Sequence, residues 1–326
     1  MPAPSEAPLG GLGRLALAAL AFEVLAPTIL LDAVAPVALV AVPLAALLVV
    51  SRPRSPVETF FTGLALGVAV WWLVRPGGLS VQVLKAGAVM GATVFVIGSV
   101  RTRASFTTRA LAAVTAAAVG ASTLLVVLGS SWAELRWWVE HRMGPAVRSA
   151  STMWELLLGS SGTQGAAARL ETGFTTMVRV TADFYPAIAA IEIAIGLALA
   201  TAIYHRVAWH PWGRPLNRFR LFRFSEHLGW AVIIPLVIVL VPRLAALKLT
   251  AANVLVMAAV LYAVRGAAVA AFGFGLAGGG GFFLWVLLGV IFVAMLPVVV
   301  GAAIVLGVLD TGVDFRRRWM TPRAGN

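Results

Sequence analysis

Apolar residues run along this chain in long, nearly unbroken blocks, without the strict alternation of a half-buried strand. The first block, from Leu15 to Val50, is too long for the roughly 20 residues that cross a hydrocarbon core, and Asp32 followed by Pro36 divides it into two spans, about 12–31 and 34–50. Further spans are expected at about 60–74, 80–99, 111–128, 185–204, 229–244, 251–274 and 282–309. Arg75-Pro76-Gly77-Gly78 is the tight turn between the third and fourth. The expected class is all-α, a polytopic transmembrane helical bundle of eight or nine membrane segments.

One stretch departs from this pattern. In 130–183, Trp132, Leu135, Trp138 and Val139, then Met153, Trp154, Leu157 and Leu158, recur at helical spacing with charged residues between them. This reads either as two short amphipathic helices on the outer membrane face, joined by Gly159-Ser160-Ser161-Gly162, or as a small packed cap over the bundle mouth. The chain thus divides into N-terminal membrane helices (1–129, about five spans), an extracytoplasmic amphipathic segment (130–183), C-terminal membrane helices (184–318) with a basic loop at 205–227, and a tail (319–326).

Composition sharpens the class. Of 326 residues 60 % are hydrophobic and 12 % charged, at a mean hydropathy of +0.95, which excludes soluble enzyme folds, fibrous proteins and disordered chains. With no Cys there is no disulfide or thiolate chemistry to consider. The net charge is 25 − 13 = +12, and the arginines fall between the apolar blocks, so the excess orients spans and does not point to nucleic acid. Arg52 and Arg54, then Arg101, Arg103 and Arg109, then Arg206 to Arg223 follow spans two, four and six, which places these loops and the N-terminus in the cytoplasm and 130–183 outside. Nine crossings would put Arg316, Arg317 and Arg318 outside. A cytoplasmic tail, with one of the last three runs re-entrant, satisfies the charge rule better. The acidic, Pro-rich start MPAPSEAPLG argues against a cleavable signal peptide.

Several strings, in order, resemble the uncharacterised YybS-like membrane proteins, a group similar to the substrate-capture subunits of energy-coupling-factor transporters. They are Val42-Pro43-Leu44-Ala45 leading to Arg52, the glycine-spaced Gly63 to Gly67, the basic connector into Phe222-Arg223-Phe224, Leu261-Tyr262-Ala263-Val264-Arg265-Gly266, and the closing Leu309-Asp310-Thr311-Gly312-Val313-Asp314-Phe315-Arg316-Arg317-Arg318. The resemblance covers residues 12–318. It implies a compact bundle with a cavity open to the outside, in the bacterial inner (plasma) membrane, capturing a small molecule for an ATP-driven transporter core or another membrane subunit. The competing expectation is a non-transporting structural or assembly partner of a membrane complex.

Ionised groups inside spans cost about 2.5–3.5 kcal/mol each on insertion scales, so each one is a candidate site. Glu23, Lys85, Glu192 and Arg265 are such groups. Lys85 is expected either to pair with Glu192 or Glu23 or to snorkel to the outer interface. Glu192 shares a helical face with Tyr185, seven residues earlier, and the two are candidate lining of a polar cavity. Candidate partner- or lipid-docking residues are Arg218, Arg220 and Arg223 in the connector and Asp310, Asp314, Arg316, Arg317 and Arg318 at the end of the last helix. There Asp314 and Arg318 stand four apart and would pair on a continuous helix. Gly273-Phe274-Gly275-Leu276-Ala277-Gly278 has nucleotide-loop spacing but joins two apolar runs, and is read as a flexible loop or broken helix. Asp310-Thr311-Gly312 spells an aspartic-protease tripeptide without the β-rich site that chemistry needs. His205 and His210 are five apart, off the spacing that aims two imidazoles at one ion. No catalytic set, metal site or cofactor is expected.

Overall fold

The structure is a computed structural model that describes residues 8–25, 34–158, 164–276 and 295–320. Among these all regular structure is helical: α1 (Pro8–Leu25), α2 (Ala35–Ser51), α3 (Pro56–Val74), α4 (Leu79–Arg101), α5 (Phe106–Val127), α6 (Trp132–Leu158), α7 (Gln164–Asp183), α8 (Tyr185–Val207), α9 (Trp230–Leu240), α10 (Lys248–Leu276), α11 (Leu296–Val313) and α12 (Phe315–Met320). Among the described residues five helical stretches are long and apolar enough to cross a membrane: Pro56–Val74, Leu79–Arg101, Phe106–Val127, Tyr185–Val207 and Pro242–Gly273. Shorter apolar helices occupy Ala35–Ser51, Glu226–Leu240 and Pro297–Val313. The run expected at 282–309 lies outside the described residues up to 294. The chain forms two compact units that divide between Leu216 and Asn217.

In the N-terminal unit α2 is the centre. Its sequence is apolar on every side, as a helix enclosed by others must be, and Leu39, Leu44, Leu47 and Leu48 are all buried. It packs on α3, α4 and α8. Where it meets α8 the contact is at backbone distance: a Cβ at Gly196 would lie 2.7 Å from the Leu39 carbonyl oxygen. By contrast α3 turns Phe60, Leu64, Val70 and Trp71 outward, as a bilayer-facing helix does.

Within 130–183 the described part of α6 packs on neighbouring helices. Leu135 and Val139 of α6 are buried against Val83, Leu125, Ala182 and Tyr185, and the Trp138 ring fills the space beside Gly78. The helices are also longer than expected, 27 and 20 residues. The side chains of Met153, Trp154, Leu157 and Leu158, and the glycine–serine joint, lie outside the described residues.

A carboxylate ties the other end of this unit. Ser55-Pro56-Val57-Glu58 forms a capping box, with the Ser55 hydroxyl accepting from the Glu58 amide at 3.1 Å and Glu58 accepting from the Arg54 and Ser55 amides at 2.7 and 2.9 Å. The second Glu58 oxygen accepts from the Trp209 amide, just past the end of α8, and the Tyr204 hydroxyl accepts from the Trp212 amide at 2.9 Å.

In the C-terminal unit α10 packs with α9 and α11. The α10–α11 crossing runs backbone on backbone. A Cβ at Gly266 would strike the Ala303 carbonyl oxygen, and one at Gly307 would strike that of Tyr262. Gly307→Val is therefore expected to force the two helices apart, costing about 1–3 kcal/mol or more. A lowered unfolding midpoint of the detergent-purified protein checks this, and a midpoint equal to that of the wild type would contradict the close crossing.

A buried ion cluster and its cavity as the candidate functional site

Arg265 is the eighteenth residue of the 29-residue α10, with apolar helix on both sides of it. At 1.5 Å per residue it is about 26 Å from one end and about 17 Å from the other, so its charge must be met inside the structure. The Gly266–Gly307 crossing does this by bringing α11 close enough for Arg265 Nε to donate to Asp310 Oδ2 at 2.9 Å and Nη2 to the Asp310 carbonyl at 3.0 Å. Arg316 Nη2 donates to the same Oδ2 at 3.2 Å. The side chains of Asp310 and Arg316 are 0 % and 1 % exposed, so one carboxylate is sealed between two guanidinium groups. Arg316 also donates to the Arg220 and Phe222 carbonyls at 3.1 and 3.0 Å, fixing the connector 219–222 to the start of α12. Burial draws the Arg316 guanidinium below its ordinary value, and Asp310 opposes that shift.

The turn at Asp314 makes this arrangement. Its backbone is left-handed, φ 46° and ψ 64°, which ends α11 and swings Arg316 back onto Asp310. The continuous helix on which Asp314 and Arg318 would pair is therefore interrupted. Asp314 is instead held by Arg223, through Nη1–Oδ2 at 3.2 Å and Nη2–Oδ1 at 2.5 Å. The Arg265 guanidinium lies 5.0 Å from the Phe224 ring, which meets Tyr262 edge-on at 5.1 Å.

Between these groups lies a polar cavity of about 360 Å³. The segment from Arg223 to His227 forms one wall, and Arg265, Asp310, Thr311 and Asp314 form the other. Arg265 Nη1 and Asp310 Oδ1 are buried with no hydrogen-bond partner among the described residues. Among those residues no three metal-ligating side chains converge.

The structure thus joins Arg265 to Asp310 and Arg316, which the sequence had divided between two kinds of site, and Arg223 to Asp314, both read as docking residues. Arg218, Arg220 and Arg318 are exposed, and the Arg317 side chain lies outside the described residues. In the N-terminal unit the expected groupings do not form. Lys85 meets neither Glu192 nor Glu23; its ammonium donates to the Leu73 carbonyl at 3.3 Å and to that of Arg75, and lies 5.7 Å from the Trp72 ring. The reason is local: the last carbonyls of α3 lack helical donors, and Lys85 stands beside them on the second turn of α4. Glu23 is half-buried on α1. Glu192 is buried, its Oε2 without a partner among the described residues, yet it does not line the small cavity beside Tyr185. That cavity holds about 60 Å³ and is walled by Val83, Val114, Ala117, Ala189 and Ile193, an apolar gap where a polar chamber was expected.

Two polar residues were not singled out as sites. Glu58 had a signal, the Ser-x-x-Glu capping pattern. Arg109 had none: it reads as a loop arginine, yet it is buried, donating to the Ser99 hydroxyl at 2.7 Å and lying 5.4 Å from the Phe95 ring.

Asp310→Ala leaves two sealed guanidinium groups without a carboxylate and is expected to cost about 3–5 kcal/mol, whereas replacing Arg265, Asp310 and Arg316 together by apolar residues of similar size restores most of it. Unfolding midpoints of the two variants in detergent check this; an Asp310→Ala midpoint matching the wild type would show that the cluster is not sealed.

The sequence profile of a family described as "Predicted membrane protein (DUF2232)" matches residues 22–311. No curated protein and no solved structure matches the chain.

Proposed function

The chain belongs to that family of predicted membrane proteins, and from this premise we propose that it binds a small polar solute in the cavity of its C-terminal unit, as a solute-binding subunit of a membrane transport assembly. The observation that carries the reading is the cavity's wall. A buried arginine and a buried aspartate, bonded to each other, each keep one hydrogen-bonding atom unspent beside a space of about 360 Å³. Convergent polar groups around a cavity of this size are the usual signature of a small-molecule site, and ionised groups held inside a membrane-spanning bundle mark solute or ion pathways more often than scaffolding. The sequence resemblance to capture subunits points the same way. On this reading eight or nine segments cross or enter a bacterial plasma membrane, and the partner is an ATP-driven core.

One observation favours a second reading, an assembly partner without cargo. The cavity described in the N-terminal bundle is small and apolar, while Arg218, Arg220 and Arg318 stand exposed and able to receive an acidic partner surface.

A thermal-stability screen of the detergent-purified protein against a broad panel of polar metabolites separates the two. A solute site predicts at least one compound that raises the midpoint by several degrees in a saturable way, an effect weakened by Thr311→Val and unchanged by Glu192→Gln. A panel with no stabilising compound, together with stoichiometric copurification of another membrane protein, would replace the first reading by the second.

A further inference from the structure

The cavity's unsatisfied atoms specify more than polarity. Arg265 spends Nε and Nη2 on Asp310, and Asp310 spends Oδ2 on Arg265 and Arg316. What is left over in the cluster, among the described residues, is Arg265 Nη1 and Asp310 Oδ1, with Arg316 Nε on a residue that does not line the cavity. The first two belong to residues that line the cavity, and both residues are at least nine-tenths buried, at 5 % and 0 % exposure. Leaving either atom unmet costs free energy.

Each class of ligand can be tested against that pair. A simple anion would satisfy Nη1 and be repelled by Oδ1. A simple cation would satisfy Oδ1 and be repelled by the guanidinium. The surrounding charge also weighs against both. Of the lining residues Arg223 and Arg265 stand against Glu226, Asp310 and Asp314, and Arg316, bonded to Asp310 from outside the lining, brings the charges to three of each sign, so a ligand of zero net charge enters with little Coulomb penalty. A molecule that carries an anionic acceptor and a cationic donor on neighbouring atoms meets every condition. The Ser225 and Thr311 side chains add hydroxyls to the wall and Phe224 adds an apolar face. The volume, at the lower end of the usual range for ligand sites, suits a small molecule.

Resting on the solute-binding reading above, we infer that the cavity takes a small zwitterion of the α-amino acid type, its carboxylate set against Arg265 and its ammonium against Asp310.

The test uses the full chain in detergent, with thermal midpoints and equilibrium binding measured for the twenty L-amino acids. For each stabilising compound, the deaminated acid and the decarboxylated amine of the same side chain are measured beside it. The expected result is saturable binding of at least one amino acid, weakened at least tenfold when either charged group is removed, and lost in Asp310→Asn. If Asp310→Asn does not fold, the comparison of the three compounds on the wild-type protein decides alone. An acid or an amine binding as tightly as its parent amino acid would overturn the zwitterion while leaving a solute site standing. So would no amino acid binding while another compound of the metabolite panel does. No binding by any compound of either panel would overturn both, leaving the unspent atoms to water.

Discussion

A carboxylate sealed among apolar helices needs cations placed around it before the chain can close over it, and Asp310 sets that requirement for the whole C-terminal unit. Its side chain is wholly enclosed, so the guanidinium groups of Arg265 and Arg316 are a condition of folding more than an added stabilisation. Each participant constrains a different element. Arg265 fixes the register of α10 against α11, and Arg316 fixes the connector carbonyls at Arg220 and Phe222. The crossing at Gly266 and Gly307 sets the separation at which these bonds have normal lengths. A side chain at either glycine would act on the ion cluster through the backbone, without touching a charge.

The N-terminal unit meets the same problem by pairing its buried and half-buried charges mainly with backbone groups at helix ends. Lys85 turns to the carbonyls that end α3, Glu58 serves the amides that begin it and the amide of Trp209, and Arg109 leans on Ser99 and a phenylalanine ring. Helix ends carry backbone groups that lack partners, and each of these residues lies beside one or beside a short polar side chain. The interior also encloses Trp72, Phe95 and Tyr204, and Glu192 is buried there with Oε2 unpartnered among the described residues. Two strategies therefore coexist in one chain: charge met mainly at helix ends in one unit, charge gathered into a cluster with a cavity in the other.

The helices themselves were legible in the sequence because long apolar blocks, prolines and glycine turns act locally. The helices found at Ala35–Ser51, Leu79–Arg101 and Tyr185–Val207 fall within three residues of the spans expected there. The rarity of charge within the spans singled out Arg265, whereas Asp310 and Arg316 read as docking residues at the end of the last helix; their burial beside Arg265 belongs to the structure. Pairing was another matter. Lys85 read either as a counter-ion of Glu192 or Glu23 or as a side chain snorkelling to the outer interface, and Arg318 as a partner of Asp314, because sequence offers only spacing and sign.

What composition and pattern decided by themselves was the class: an all-helical chain built for a lipid bilayer, with its few internal charges obliged to find partners. Which partners they found was left to the tertiary structure, because it turns on two features no local rule contains. One is the left-handed turn at Asp314 that sends Arg316 back onto the bundle; the other is the backbone-close crossing of α10 and α11. A hydrogen bond needs donor and acceptor within about 3 Å of each other, so which side chains pair is decided by where the helices cross and turn.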